Sequence, residues 1–344
     1  MIKVLHLIEA LGVGGAERRL MNDLKYLNNY LFSNVVCALS EKVEMWYPEF
    51  SQITLYRLKA GNIRELLGCA RPLNRIIRKH GIQIVHTQLF WADLLGRLCK
   101  LFNPGIKLVS TIQSTAHENN DPYLYSYKRK LLDGFSGRLF NDGFIAVSEH
   151  VRNVCIDHVG FSAAKIRLIP NSVDFDYSVS LEKAGLLIQE FALTKGMVLI
   201  TVGRIDPPKG HVYLLRAMPA ILRAFPEIKL LIVGDGPTRK EAEQEATCLG
   251  LGKKVIFTGK RSDVRELLSI SDIFVFPTLS EGLPLALLEG MASGKACVAT
   301  SIEPNMEVIK DAQTGVLVKP ADPDHIARAV IALLGHPLER EKMA

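Results

Sequence analysis

The chain has 344 residues, 48% of them hydrophobic, and a net charge of +6, so it can bury one large core or two ordinary ones, and two domains are the default at this length. Its six cysteines (Cys37, Cys69, Cys99, Cys155, Cys248 and Cys297) stand singly, with no C-x-x-C pair and no histidine at metal-ligand spacing, which argues against a zinc module and reads them as reduced core residues of a cytosolic protein. The first residues lack the charged and apolar regions of a signal peptide, and no apolar run reaches the roughly 18 residues of a membrane span, so a cytoplasmic protein, at most peripheral to the inner face of a membrane, is expected.

In chain order, short β-branched runs alternate with amphipathic stretches, the pattern of parallel sheets covered by helices. Strands are predicted at 2–8, 35–39, 53–58, 82–86, 107–112, 144–147 and 166–169, with helices at 16–30, 63–79, 89–101, 124–140 and 149–159. The pattern then restarts, with strands at 197–202, 228–233, 254–258, 273–276, 296–299 and 315–318 and helices at 211–225, 239–249, 264–269, 284–292 and 323–334. The expected fold is α/β, two doubly wound Rossmann-like domains, 1–175 and 176–344. The turn-like run Pro170-Asn171-Ser172-Val173-Asp174 lies at the boundary.

Residues 1–175 hold 22 Lys/Arg against 15 Asp/Glu, a balance of +7, whereas the rest of the chain stands at −1. Arg71, Arg75, Arg78 and Lys79 fall on one predicted helix, and Lys128, Arg129 and Lys130 near the start of another. Solvated helix faces account for this, and so does attraction to an anionic acceptor or membrane surface. Basic residues without interleaved aromatics or a nucleic-acid motif argue against nucleic acid.

Four segments carry chemistry. Gly12-Val13-Gly14-Gly15-Ala16-Glu17 follows the first strand and opens a helix. Such a loop is either a plain tight turn or a place where backbone amides meet a phosphate. It is not a dinucleotide fingerprint, because Glu17 stands where the third glycine belongs. Gly203-Arg204 followed by Lys209-Gly210 puts two cations at the carboxyl end of a strand, suited to the phosphates of a leaving nucleotide diphosphate or to surface salt bridges. Val233-Gly234-Asp235-Gly236-Pro237 is a further strand-end turn. In Ser280-Glu281-Gly282-Leu283-Pro284-Leu285, Pro284 suits the first turn of a helix, leaving Glu281 in the loop ahead and Glu289 more than one turn inside. Carboxylates accept from sugar hydroxyls, and the amides of Gly282, Leu283 and Leu285 can meet phosphate or sugar oxygens, although Glu289 on an amphipathic helix can also simply face solvent.

Together these residues resemble the GT-B glycosyltransferases, specifically the retaining family 4 group, over almost the whole chain. Gly14-Gly15-Ala16-Glu17 is similar to the family's first glycine loop, Ile169-Pro170-Asn171-Ser172-Val173-Asp174 to its inter-domain segment, Gly203-Arg204 with Lys209-Gly210 to its diphosphate pair, Phe257-Thr258-Gly259 to its base pocket, and Glu281 with Glu289 to its paired glutamates. The resemblance implies two domains facing a central cleft, acceptor side first and donor side second. It implies that Arg204 and Lys209 neutralise the departing diphosphate, Glu281 holds donor-sugar hydroxyls and Glu289 the ribose. Gly14 and Gly15 would face the diphosphate, with no metal. It also implies retention of anomeric configuration by a front-face route in which the leaving phosphate takes the acceptor proton; Glu281 is not assigned as a nucleophile. The sequence does not identify the acceptor; a growing glycan and a lipid-linked acceptor are the candidates.

Three departures stand out. Gln113 takes the place of a histidine common near the donor sugar, with His117 as a candidate substitute. Gly290 stands where alanine is usual, a cost of roughly 1 kcal/mol in helix stability. The chain ends at Ala344, where the family continues into a helix crossing back over the first domain, so a short or missing crossover is expected. A nucleotide-sugar epimerase on the same architecture and a non-catalytic nucleotide-sugar-binding protein are the alternatives.

Overall fold

The structure is a computed structural model and describes residues 1–12, 14–41, 51–60, 62–114, 127–174, 178–193 and 196–344. The chain forms two compact units, Met1–Ser172 and Val173–Ala344.

The first unit runs β1 (Ile2–Ile8), α1 (Gly15–Tyr26), β2 (Phe32–Ala38), β3 (Thr54–Arg57), α2 (Ile63–Gly68), α3 (Ala70–His80), β4 (Ile84–Gln88), α4 (Phe90–Phe102), β5 (Lys107–Ile112), α5 (Tyr127–Phe140), β6 (Gly143–Ala146), α6 (Glu149–Val154) and β7 (Ile166–Leu168). The strands form one parallel sheet in the order β3-β2-β1-β4-β5-β6-β7. Because both faces are covered, β1, β2 and β4 are buried at successive positions without alternation: Leu5 and Leu7 pack towards α3 and α4, Ile8, Val36 and Ala38 towards α1.

One polar line crosses this core. His6 Nδ1 lies 3.1 Å from His86 Nδ1, His6 Nε2 is 3.1 Å from Asn34 Oδ1, and His86 Nε2 is 2.7 Å from the Thr111 hydroxyl. Burial keeps both rings neutral, pushing the imidazoles down to about 4 and about 3. With neutral rings and Asn34 Oδ1 as acceptor, one proton order satisfies every contact: Thr111 donates to His86, His86 to His6, and His6 to Asn34.

The second unit runs α7 (Leu181–Glu190), β8 (Val198–Val202), α8 (His211–Ala224), β9 (Lys229–Val233), α9 (Arg239–Cys248), β10 (Val255–Gly259), α10 (Val264–Ser269), β11 (Ile273–Phe276), α11 (Leu285–Ala292), β12 (Ala296–Thr300), α12 (Glu303–Met306), β13 (Val316–Val318), α13 (Pro323–Gly335) and α14 (Pro337–Met343). Its sheet is again parallel, in the order β10-β9-β8-β11-β12-β13. Strands β8, β11 and β12 are buried at every position. Leu214, Leu215, Met218 and Ile221 of α8 share a face with Ile326, Val330 and Leu333 of α13, and each such burial contributes about 1.5–3 kcal/mol before entropy is counted.

Four expectations change. The predicted helix at 63–79 is two helices broken at Cys69, because Pro72 lacks the amide a continuous helix requires and its ring crowds the preceding turn. The predicted helix at 149–159 is α-helical only to Val154, then widens into a π turn over Cys155–Val159. Helix α7, capped by the Ser180 side chain on Lys183 N–H, lies where no element is expected. Cys248 is exposed, unlike the other five cysteines.

Candidate active site

Open parallel sheets bind ligands at the carboxyl edge where successive strands diverge. In the second unit that point lies between β8, which continues into β9 on one side, and β11, which leads outward to β12 and β13 on the other. The segments after these strands meet directly: the Leu279 N–H donates to Pro208 O at 2.7 Å, and the Thr278 hydroxyl lies 3.0 Å from the same carbonyl. Gly210 permits the approach, with φ at +67° and no room for a Cβ against Pro277 O.

This contact places the charges. Lys209, ending a 3-10 turn over Pro207–Lys209, donates from Nζ to Glu281 Oε1 at 2.6 Å, and Thr278 Oγ1 lies 3.1 Å from that oxygen. The Lys209 and Glu281 side chains retain 25% and 12% of their exposure, so the pair is partly withdrawn from water and its field is stronger than on an open surface. Arg204, two residues beyond β8, is exposed, with Nε 3.4 Å from Asp206 Oδ2.

The same edge gathers other expected residues. Gly203 N–H donates to Val233 O and Gly234 N–H to Gly259 O, so Gly203, Gly234 and Gly259 line up across three strand ends. A Cβ on Gly234 would collide with Gly203 O. Thr258 sits beside them, its hydroxyl 3.1 Å from Gly259 O. Gly282, Leu283 and Leu285 are buried at the entrance to α11. Pro284 at the cap position has no polar side chain and no acidic residue occupies the first turn, so the positive end of the helix is suited to an anion. Pro284 is the cap residue itself rather than a member of the first turn. Glu289, on the second turn, is half-buried.

Gly290 requires a different account from helix propensity alone. A Cβ there would lie 2.8 Å from Phe274 Cγ. Glycine is present because the ring of Phe274 in β11 occupies the space alanine would need.

Sequence reasoning missed the supports of Glu281. Thr278 is fully buried; its carbonyl accepts from the Thr300 hydroxyl, and Asn305 Nδ2 donates to Thr300 O at 2.9 Å. A column from α12 to Glu281 results. The available signal was a threonine at the end of each of two apolar runs, Thr300 closing β12 and Thr278 two residues beyond β11. His211, the first residue of α8, was missed too: it is buried with Nδ1 unpaired, and burial, with Lys209 adding to it, pushes it down to about 4.

Gly14, Gly15 and Gln113 belong to the first unit. Gly14 precedes α1 in extended conformation, and the Glu17 carboxylate folds back so closely that a Cβ on Gly14 would lie 2.5 Å from Oε2. An anion at this loop would therefore meet a carboxylate unless Glu17 turned away. Gln113 Nε2 donates to Gln88 Oε1 at 3.1 Å. Gln88 is buried with its own Nε2 unpaired, and Glu9, at the adjoining end of β1, accepts the Trp91 N–H at 2.8 Å. Burial pushes the Glu9 carboxyl above its ordinary range. Neither Glu9 nor Gln88 was expected. His117 lies outside the described residues.

Residues 13–177 match the family model described as Glycosyltransferase Family 4, and residues 187–344 the one described as Glycosyl transferases group 1. The UDP-Gal:alpha-D-GlcNAc-diphosphoundecaprenol alpha-1,3-galactosyltransferase of Escherichia coli is 26% identical over 338 residues, 96% of this chain and 87% of that one. The phosphatidyl-myo-inositol mannosyltransferase of Mycobacterium leprae is 32% identical over 204 residues, 58% of this chain and 52% of its own. Among solved structures, Anabaena Alr3699/HepE in complex with UDP and glucose superposes with a TM-score of 0.86 at 20% identity, covering 100% of this chain and 92% of the other, a likeness of fold.

Proposed function

Since this chain belongs to the family 4, group 1 glycosyltransferases of GT-B fold, we propose that it moves a sugar from a nucleotide-diphosphate donor to a lipid-linked glycan acceptor, with retention.

The observation that carries the donor half is the Lys209–Glu281 pair at the divergence of β8 and β11, with Arg204 exposed earlier in the loop that carries Lys209. A diphosphate entering there exchanges one anionic partner of Lys209 for another and frees the Glu281 carboxylate for a sugar hydroxyl. Lys209 and Arg204 then stabilise charge that grows on the leaving phosphate, a contribution concentrated in the transition state. The positive end of α11, with no acidic residue in its first turn, favours the same anion. Glu289 is assigned to the ribose, Gly203 with Arg204 to the diphosphate, and Thr258 and Gly259 to the base side. No metal enters this scheme, in which two side-chain cations supply the neutralising charge and the leaving phosphate takes the acceptor proton.

Support for a lipid-linked acceptor comes from relatives, one named for a diphosphoundecaprenol-linked sugar and another for phosphatidyl-myo-inositol. An enzyme of polysaccharide assembly at an anionic membrane surface, with the acceptor on the first unit, fits those names. Among the described residues no helix is long and apolar enough to cross a membrane. The test is to offer a panel of nucleotide sugars with polyprenyl-diphosphate-linked acceptors, follow nucleoside diphosphate release, and read the anomeric configuration of the product by NMR. An epimerised sugar nucleotide without glycan product would reject transfer, and an inverted product would reject retention.

A further inference from the structure

The carboxyl edge of the first sheet has its own point of divergence, between β1, which leads outward to β2 and β3, and β4, which leads to β5, β6 and β7. Open parallel sheets take ligands at such a point. Glu9 directly follows β1, and Leu89 directly follows β4. Leu89 holds φ at +75° and ψ at +157°, a region that is costly for any residue except glycine. The Glu9 carboxylate fixes this turn by accepting the Trp91 N–H through Oε1 at 2.8 Å. Its Oε2 makes no hydrogen bond among the described residues.

Arg129 joins this edge from the start of α5. Its guanidinium carbon lies 5.1 Å from the centre of the Trp91 ring and 5.5 Å from that of Phe90, two rings that meet edge to face. Such contact holds a guanidinium in place while its N–H groups stay open to other partners. Among the described residues Arg129 makes no hydrogen bond or ion pair, and its side chain is exposed. Burial raises the Glu9 carboxyl and outweighs Arg129, which is close enough to lower it, yet no salt bridge joins the two. A cation and a carboxylate thus stand near each other, each anchored by a different neighbour and each with hydrogen-bonding capacity left. That pairing fits a ligand with an anion and hydroxyls within the width of one ring. A sugar phosphate ester has this composition, because a guanidinium takes phosphate oxygens in pairs and a carboxylate oxygen accepts from sugar hydroxyls. A phosphate alone would face the Glu9 charge, and a neutral glycan would leave Arg129 without a partner.

We propose that Arg129 and Glu9 form an acceptor subsite on the first unit, Arg129 binding the phosphate beside the acceptor sugar and Glu9 a hydroxyl of that sugar. The inference deepens, and rests on, the lipid-linked acceptor proposed above. It commits that acceptor to a sugar joined to its lipid through phosphate.

The test compares steady-state transfer by the full chain to a sugar on polyprenyl diphosphate and to the same sugar on a neutral alkyl chain. R129A should raise KM for the diphosphate-linked acceptor about tenfold or more, while KM for the neutral acceptor and for the donor each change by less than about twofold. R129K, a point charge without the planar fork, should recover part of the loss. E9Q keeps a carbonyl oxygen for the Trp91 N–H and should raise KM for both acceptors alike, about fivefold. Circular dichroism checks that the variants are folded. A second readout needs no turnover. W46F leaves Trp91 as the chain's one tryptophan; its emission should change with geranyl diphosphate and not with geraniol, and the change should vanish in W46F/R129A. The proposal is overturned if R129A raises KM equally for both acceptors, if it raises the donor KM instead, if geraniol moves the emission as far as geranyl diphosphate, or if the emission change survives in W46F/R129A. Transfer to the diphosphate-linked acceptor that R129A leaves untouched would reject the Arg129 subsite alone. An Arg129-dependent emission change with transfer only to a glycan bearing no phosphate would reject the lipid-linked acceptor alone.

Discussion

Lys209 Nζ and Thr278 Oγ1 converge on one oxygen of Glu281, at 2.6 Å and 3.1 Å. Thr278 touches no substrate in this scheme; its single hydroxyl proton is shared between the Glu281 carboxylate and Pro208 O, which the Leu279 N–H also holds, so it orients the carboxylate against the loop after β8. Hydrogen bonds to charged groups are worth about 1.5–3 kcal/mol, so T278V should lower kcat about tenfold while the calorimetric affinity for nucleoside diphosphate stays within about twofold. T278S should restore most of the rate. Loss of affinity with unchanged kcat would contradict the orienting role.

Glu289 and Glu281 should separate kinetically. Ribose hydroxyls are held alike in the ground and transition states, so E289A should raise the nucleotide Kd more than it lowers kcat, and E281A should do the reverse. Titration calorimetry and steady-state rates on the two variants decide this, and an unchanged Kd in E289A would remove the ribose assignment.

Helix propensity alone predicts that G290A stabilises α11. The Phe274 ring predicts the opposite, since the added Cβ would lie 2.8 Å from Cγ, and overpacking of this kind costs about 1–3 kcal/mol. The melting temperature of G290A should fall, and F274L should relieve the loss. A higher melting temperature in G290A would show that the neighbouring ring yields freely.

His211 gives the second unit a pH dependence of known sign. Its folded pKa, lowered to about 4, lies below the ordinary 6.5, so the unfolded chain binds the proton first. Stability contributed by the neutral ring is therefore full above about 6.5 and is lost progressively as pH falls towards about 4. Denaturant midpoints for the second unit should decline from pH 7 to pH 5, and H211L should flatten the decline. An equal slope in the variant would assign the effect to other groups.

Both sheets and the strand ends that carry Arg204, Lys209 and Glu281 were legible in the chain, because wholly apolar runs such as 273–276 followed by glycine-rich turns have few other solutions. Pro72 was legible as well and was passed over in favour of a long periodic run. The orientation of α5, which leaves Leu131, Phe135 and Leu139 exposed, was not readable, since periodicity locates a stripe without saying which side it faces, and only the packing of Gly137 on Phe161 decides that. The Thr278–Thr300–Asn305 column and the His6–His86 pair join residues far apart in sequence through neighbouring strands and helices, a proximity that one sequence does not encode locally.

The most direct test of the account is acceptor-dependent release of nucleoside diphosphate by the wild type, R204A and K209A, with and without EDTA. Removing a preorganised charge from a leaving group costs about two to three orders of magnitude in rate. Both variants should lose that much turnover while remaining folded, and the wild-type rate should survive the chelator. Near-normal turnover in both variants, or abolition of wild-type activity by EDTA, would contradict the claim that these two side chains carry the departing diphosphate.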